Sequence, residues 1–194
     1  MVTAARPTAV PVYLGQLVQF GSITNSVKFF DVALPDGYSR FQFFFTGVTV
    51  TAPGVGDYVS AALRVAGNFA NDPINNDTYF NVTAATASPL IKITPQQTDI
   101  ANNPKFRAGC LVDIYPGDNI NWPVVTVNYS WAYQTGGVTF SGQALWTLDQ
   151  AATIPPTHGQ ATLMRVQPLG NRNCNPPTST NTIDTGDWRL YAYN

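Results

Sequence analysis

Residues 38–50, with the sequence YSRFQFFFTGVTV, carry the strongest structural signal in the chain. Phe41, Phe43 and Phe45 recur with a period of two, so a β-strand would place them together on one face. The opposite face is only partly apolar and would be formed by Tyr38, Arg40, Gln42, Phe44, Thr46, Val48 and Val50. Such a strand suits the centre of a packed sheet, or a sheet whose second face is covered by a partner.

The rest of the chain offers little material for helices. It contains no Glu and only three Lys, and charged residues make up 11% of its 194 residues. Solvated helix surfaces are normally built from Glu, Lys, Gln, Arg and Ala. Thr, Asn, Val, Gly and Pro are abundant instead, and these residues favour strands and turns. The composition therefore predicts an all-β protein.

Short β-like runs alternate with turn sequences along the chain, which is typical of an antiparallel β-sandwich or jelly roll. We expect an extended N-terminal arm over residues 1–15 and a single β-sandwich domain over residues 16–194. The polar segments 67–77 and 170–186 are predicted to be long loops. The candidate strands are residues 10–20, 27–33, 40–51, 58–65, 78–83, 90–93, 108–115, 124–133, 142–148, 160–168 and 188–193.

Charge and hydropathy argue against nucleic acid and a membrane as partners. The net charge is −1, and the chain has no basic block of the kind that binds nucleic acid. No apolar run is long enough to span a membrane, and the N-terminus does not have the pattern of a signal peptide. So few charges are unusual on a free monomer. We therefore expect a homo-oligomer, with a trimer favoured, whose surface is partly covered by neighbouring subunits. The alternative is a surface of polar Thr, Asn and Gln side chains that meet sugars or water.

Catalytic and metal-binding motifs are weak. His158 is the only histidine and lies in a turn sequence, PPTHG, without a nucleophile motif nearby. Most Asp residues lie beside Gly, Pro or Asn, where Asp is an ordinary turn former. The oxygen-rich segment 71–77 could hold Ca²⁺, but it does not have the spacing of an EF-hand loop, and turn formation is the favoured explanation. We therefore predict no catalytic residues, no metal and no cofactor. Cys110 and Cys174 are expected to be reduced thiols, with a disulfide between them as the alternative.

Candidate interaction residues are prolines near the N-terminus and aromatic residues of predicted strands and turns. The proline-containing arm is unsuited to folding alone and could lie on a partner. Trp122 lies in a turn-rich segment, and the other aromatic residues could meet a core, an interface or a sugar ring. The candidates are Pro7, Pro11, Phe44, Trp122, Trp131 and Tyr133.

Three segments spread over the chain resemble the small β-sandwich proteins of bacteriophage virions. They are DGYSRF at residues 36–41, ALRV at 62–65 and GDWRLY at 186–191. The resemblance implies a non-enzymatic structural module, usually an oligomer, in a fibre, a tail or a capsid decoration. It supplies no catalytic residues, and the segment 170–186 has no counterpart in it.

The combined expectation is a virion structural protein, made in the host cytoplasm and displayed on the particle surface. It would act through contacts with other virion proteins, as a capsid cement or decoration protein or as a tail or fibre component. The alternative is a receptor-binding module of a tail fibre that recognises a host surface glycan. A glycan depolymerase is a further alternative, which would require two carboxylates about 5–10 Å apart in a cleft.

Overall fold

The computed structural model describes residues 15–51, 59–65, 79–81, 86–88, 91–93, 107–118, 123–132, 139–148, 160–168 and 182–194. All regular secondary structure in these ranges is β-strand, which confirms the all-β prediction. No helix in the described ranges is long and apolar enough to cross a bilayer. The strands are β1 (Gln16–Ile23), β2 (Phe30–Ala33), β3 (Arg40–Thr51), β4 (Val59–Val65), β5 (Tyr79–Asn81), β6 (Thr86–Ser88), β7 (Ile91–Lys92), β8 (Arg107–Tyr115), β9 (Val124–Ala132), β10 (Thr139–Leu148), β11 (Ala161–Pro168) and β12 (Thr182–Tyr193).

The strands form two antiparallel sheets. The larger sheet has eight strands in the order β1-β12-β3-β8-β9-β10-β5-β6, and the smaller one has four in the order β2-β11-β4-β7. Strand β3 is therefore an interior strand of the larger sheet, hydrogen-bonded to β12 on one side and to β8 on the other. This position agrees with the prediction that residues 40–51 form a central strand.

The alternation predicted for β3 holds along its first half. Phe41, Phe43 and Phe45 are fully buried and belong to the hydrophobic core. Phe30 of β2, in the smaller sheet, contributes a ring whose centroid lies 5.4 Å from that of Phe45. Trp188 of β12 lies against the same group, stacked on Phe30 at 5.7 Å. The two sheets therefore share one aromatic core, while the sandwich or jelly-roll arrangement stays a prediction.

The prediction that Val48 shares the outer face with Phe44 is wrong. The pairing of β3 with β8 shifts register between Phe45 and Val48, and Val48 is fully buried in the core. Gly47 within this shift has a φ of 65°, in the left-handed region that glycine adopts most readily. A β-bulge inserts an extra residue and reverses the alternation beyond it. The bulge therefore turns Val48 inward.

The prediction that residues 170–186 form a loop is also wrong at its C-terminal end. Strand β12 already begins at Thr182, and Ile183 is fully buried. Ile183 exchanges two backbone hydrogen bonds with Val27, at 2.8 and 2.9 Å between nitrogen and oxygen. Register shifts on either side of Thr185 interrupt the alternation in this part of β12. These irregularities explain why the strand has no regular hydrophobic pattern there.

Cys110 of β8 is a free thiol in the core, as expected, whereas Cys174 lies outside the described residues. Burial raises the pKa of Cys110 to about 12.

Because the thiolate is the reactive form, we expect iodoacetamide at about pH 8 to alkylate Cys110 about a thousandfold more slowly in the native protein than in denaturant. Mass spectrometry of a Cys174→Ser variant measures this rate directly. Equal rates in the two conditions would contradict the burial of the thiol.

Candidate functional site

The outer face of the eight-stranded sheet, on the side away from the core, is the candidate site. The large apolar side chains that are exposed in the described ranges are Leu17, Phe20 and Tyr115, with exposed fractions of 45%, 74% and 44%. All three lie on this face. Leu17 and Phe20 line an open groove of about 1130 Å³ that runs over β1, β12 and β3. Exposed apolar groups gathered on one face commonly mark an interaction site.

Strand pairing sets the arrangement of side chains in the groove. Arg189 of β12 is paired with Phe20 of β1 on one side and with Phe44 of β3 on the other. The next outward pair along β12 is Leu17 with Tyr191. The groove therefore has an arginine at its centre and apolar side chains around it.

A bulge in β1 brings Leu17 and Phe20 to the same face. These two residues are three positions apart, and a regular strand would direct them to opposite faces. The pairing of β1 with β12 shifts register between Leu17 and Gln19, so β1 has one extra residue between Leu17 and Phe20. Residues 10–20 were predicted to form a strand, but the period of two could not show that Leu17 and Phe20 lie together. For this reason neither residue was predicted as a site residue.

Phe44 is the predicted interaction residue that the structure places in the groove. Its ring is half-buried and meets the ring of Tyr191 edge to face, with centroids 5.7 Å apart and an interplanar angle of 84°. The neighbouring β12 strand thus covers part of Phe44, and the remainder faces the groove. Coverage of Phe44 by another subunit stays a prediction.

Arg40 is held rigidly at one end of the groove. Its Nε and Nη2 donate hydrogen bonds to Oδ1 of the buried Asp113, at 2.9 and 2.5 Å. The hydrogen bond with Asp113 raises the pKa of Arg40 above its ordinary value, against the lowering effect of burial. The guanidinium carbon lies 5.3 Å from the centroid of the Tyr193 ring and 5.8 Å from that of Tyr115, within the range of cation–π attraction. This end of the groove is a preformed polar and aromatic platform.

Gln42 extends the platform towards the centre of the groove. The Tyr193 hydroxyl donates a hydrogen bond to its Oε1 at 2.5 Å. Asp113, below this platform, is the ion-pair partner of Arg40. Within the described residues, no group of three or more His, Cys, Asp or Glu side chains is placed to hold a metal ion.

The remaining predicted site residues lie wholly or partly outside the described residues. Trp131 lies on β9, paired with Ala108 of β8 and Phe140 of β10, and its side chain is outside the described part. Pro7, Pro11, Trp122 and Tyr133 fall outside the described residues altogether, as do His158 and the segment 71–77. These predictions stay predictions.

Comparison with known proteins does not add a relative. No family model matches the chain, and searches of curated proteins and of solved structures likewise give no match. The resemblance to phage virion proteins therefore stays a prediction.

Proposed function

We propose that this protein is a non-enzymatic structural protein of a virion that acts through protein–protein contacts made by the outer face of its large sheet. The observation that carries the proposal is the cluster of apolar side chains in the groove, of which Phe20 on the edge strand β1 is 74% exposed. Leaving such a cluster in water is unfavourable, since burying one large apolar side chain gains about 1.5–3 kcal/mol.

We also infer that residues 16–194 form one β-sandwich domain. The inference is supported by the contact of Phe30 in the smaller sheet with Phe43 and Phe45 in the larger one. It is supported further by the core, which draws buried residues from both sheets. One layer of side chains between two sheets is the usual core of a sandwich.

Co-sedimentation with virus particles tests the proposed function. The protein is expected in stoichiometric amounts in the particle band of a density gradient prepared from a producing culture. Phe20→Asp places a charge in the groove and is expected to release most of the protein to the soluble fraction. Asn25→Asp adds the same charge at an exposed position beyond the end of β1 and should leave association unchanged. Wild-type protein that is abundant in the lysate but absent from the particle band would refute the proposal.

A second candidate function, glycan recognition, is favoured by the platform around Arg40. Flat aromatic rings and fixed polar groups side by side suit a sugar, which has apolar C–H faces and hydroxyl edges. Tyr115 is the exposed ring of this platform. A glycan array probed with the wild-type protein and with Tyr115→Ala tests the idea. Binding that Tyr115→Ala abolishes would support it, and an array without signal would reject it.

A further inference from the structure

We propose that the outer face binds a second copy of this chain about a twofold axis, with β12 of one copy lying antiparallel over β12 of the other. The inference rests on the proposed function, because it names the partner that covers the same groove. It replaces the trimer expected from the sequence with a twofold pair.

Charge complementarity is the first argument. Asp187 and Arg189 are two residues apart on β12, so both point outward, and both are exposed. Asp187 accepts a hydrogen bond from the Ser22 hydroxyl at 2.5 Å. No acidic side chain in the described ranges forms a salt bridge with Arg189. On its central strand, β12, the groove thus presents one positive and one negative group side by side.

A twofold axis converts this pair into two intermolecular ion pairs. The axis would lie between the facing outer sheets of the two copies, perpendicular to β12 and level with Trp188. Each Arg189 then faces Asp187 of the second copy. Trp188 is near the middle of β12 (Thr182–Tyr193), so the same axis overlays almost the whole strand. Parallel stacking would instead bring like charges together, which costs several kcal/mol.

Apolar side chains lie around the two charges. Phe20 and Phe44 lie on either side of Arg189, and Leu111 of β8 is paired with Phe44. Apolar groups around an ion pair exclude water and strengthen the attraction. Neighbouring strands lie about 4.8 Å apart and rise about 3.3 Å per residue. The outer face formed by β1, β12, β3 and β8 therefore covers about 600 Å². That is close to the ~800 Å² of accessible surface that each partner contributes to a typical interface.

Charge reversal with internal rescue tests the proposal. Sedimentation equilibrium of the full chain is expected to give a dimer. Arg189→Asp alone and Asp187→Arg alone should each weaken the dimer by about a hundredfold, since each places two like-charge pairs in the interface. The double variant R189D/D187R should recover most of the affinity, because the twofold axis again opposes unlike charges. Asp36→Arg, an exposed charge reversal in the turn before β3, should leave the dimer unchanged.

Thermal unfolding of each variant shows whether it is folded before its mass is interpreted. A wild-type protein that is monomeric up to about 100 μM overturns the inference, and so does a trimer. A double variant as weak as either single variant overturns the pairing of Arg189 with Asp187. A monomer that still co-sediments with particles leaves the proposed function standing. A dimer that is absent from the particle band refutes the proposed function but leaves the inferred dimer standing.

Discussion

Phe43→Ala is expected to lower the free energy of unfolding by about 3–5 kcal/mol. Phe43 is fully buried, and its ring contacts those of Phe30, Phe45 and Trp188, with centroids 5.8–6.5 Å apart. Truncation removes the apolar contacts of the ring and leaves a cavity between the two sheets. The total stability of a domain is about 5–15 kcal/mol, so this single change should remove a large part of it. Urea unfolding monitored by tryptophan fluorescence measures the loss.

Phe20→Ala is the matched control for this experiment. It removes the same atoms from the larger sheet but at a position that is 74% exposed. We expect a change within about 0.5 kcal/mol for the isolated chain, as is usual for surface substitutions. Unfolding should be compared at a concentration where the protein is monomeric. Equal losses for the two variants would contradict the assignment of inner and outer faces.

Gly186→Ala should destabilise the protein by about 1–3 kcal/mol through overpacking. A Cβ at position 186 would lie only 2.4 Å from Cε2 of the Phe45 ring. Phe45 is fully buried and cannot move into solvent, so either the ring or β12 must shift. Differential scanning calorimetry should show a lower melting temperature.

A double-mutant cycle isolates this clash. Phe45→Leu removes the ring atoms that the new methyl group would meet, at the cost of some packing. If the clash is real, Gly186→Ala should cost less in the Phe45→Leu background than in the wild type, because the two sites are coupled. The backbone strain of an alanine at a φ of 159° is common to both backgrounds and remains. Purely additive losses would show that the ring does not limit position 186.

Hydrophobic periodicity predicted the strands best where they are regular. Strand β3 begins and ends at the predicted residues, and Phe41, Phe43 and Phe45 fill the core as expected. The errors occur at bulges. Gly47 turns Val48 inward, and the register shifts around Thr185 hid the first residues of β12. A bulge changes the count by one residue, and a pattern with period two has no information about where that happens.

The candidate site was predictable only in part for the same reason. Phe44 was identified from its place in the alternating strand, and it does line the groove. Arg40 and Asp113 are distant in sequence, and only the pairing of β3 with β8 brings them together. Leu17 and Phe20 required the bulge in β1. Residues that meet across strands can be inferred from sequence only when the strand order is already known.

The position of β12 has a consequence for biosynthesis. This strand lies between β1 and β3, and its contact from Asp187 to Ser22 spans 165 residues of sequence. A ribosome therefore releases β1 and β3 long before the strand that joins them is made. Until then, the edge of β3 carries unpaired backbone groups beside apolar side chains, which is a template for aggregation. The nascent chain should depend on chaperones until β12 emerges, and slowing translation before Thr182 should lower the soluble yield.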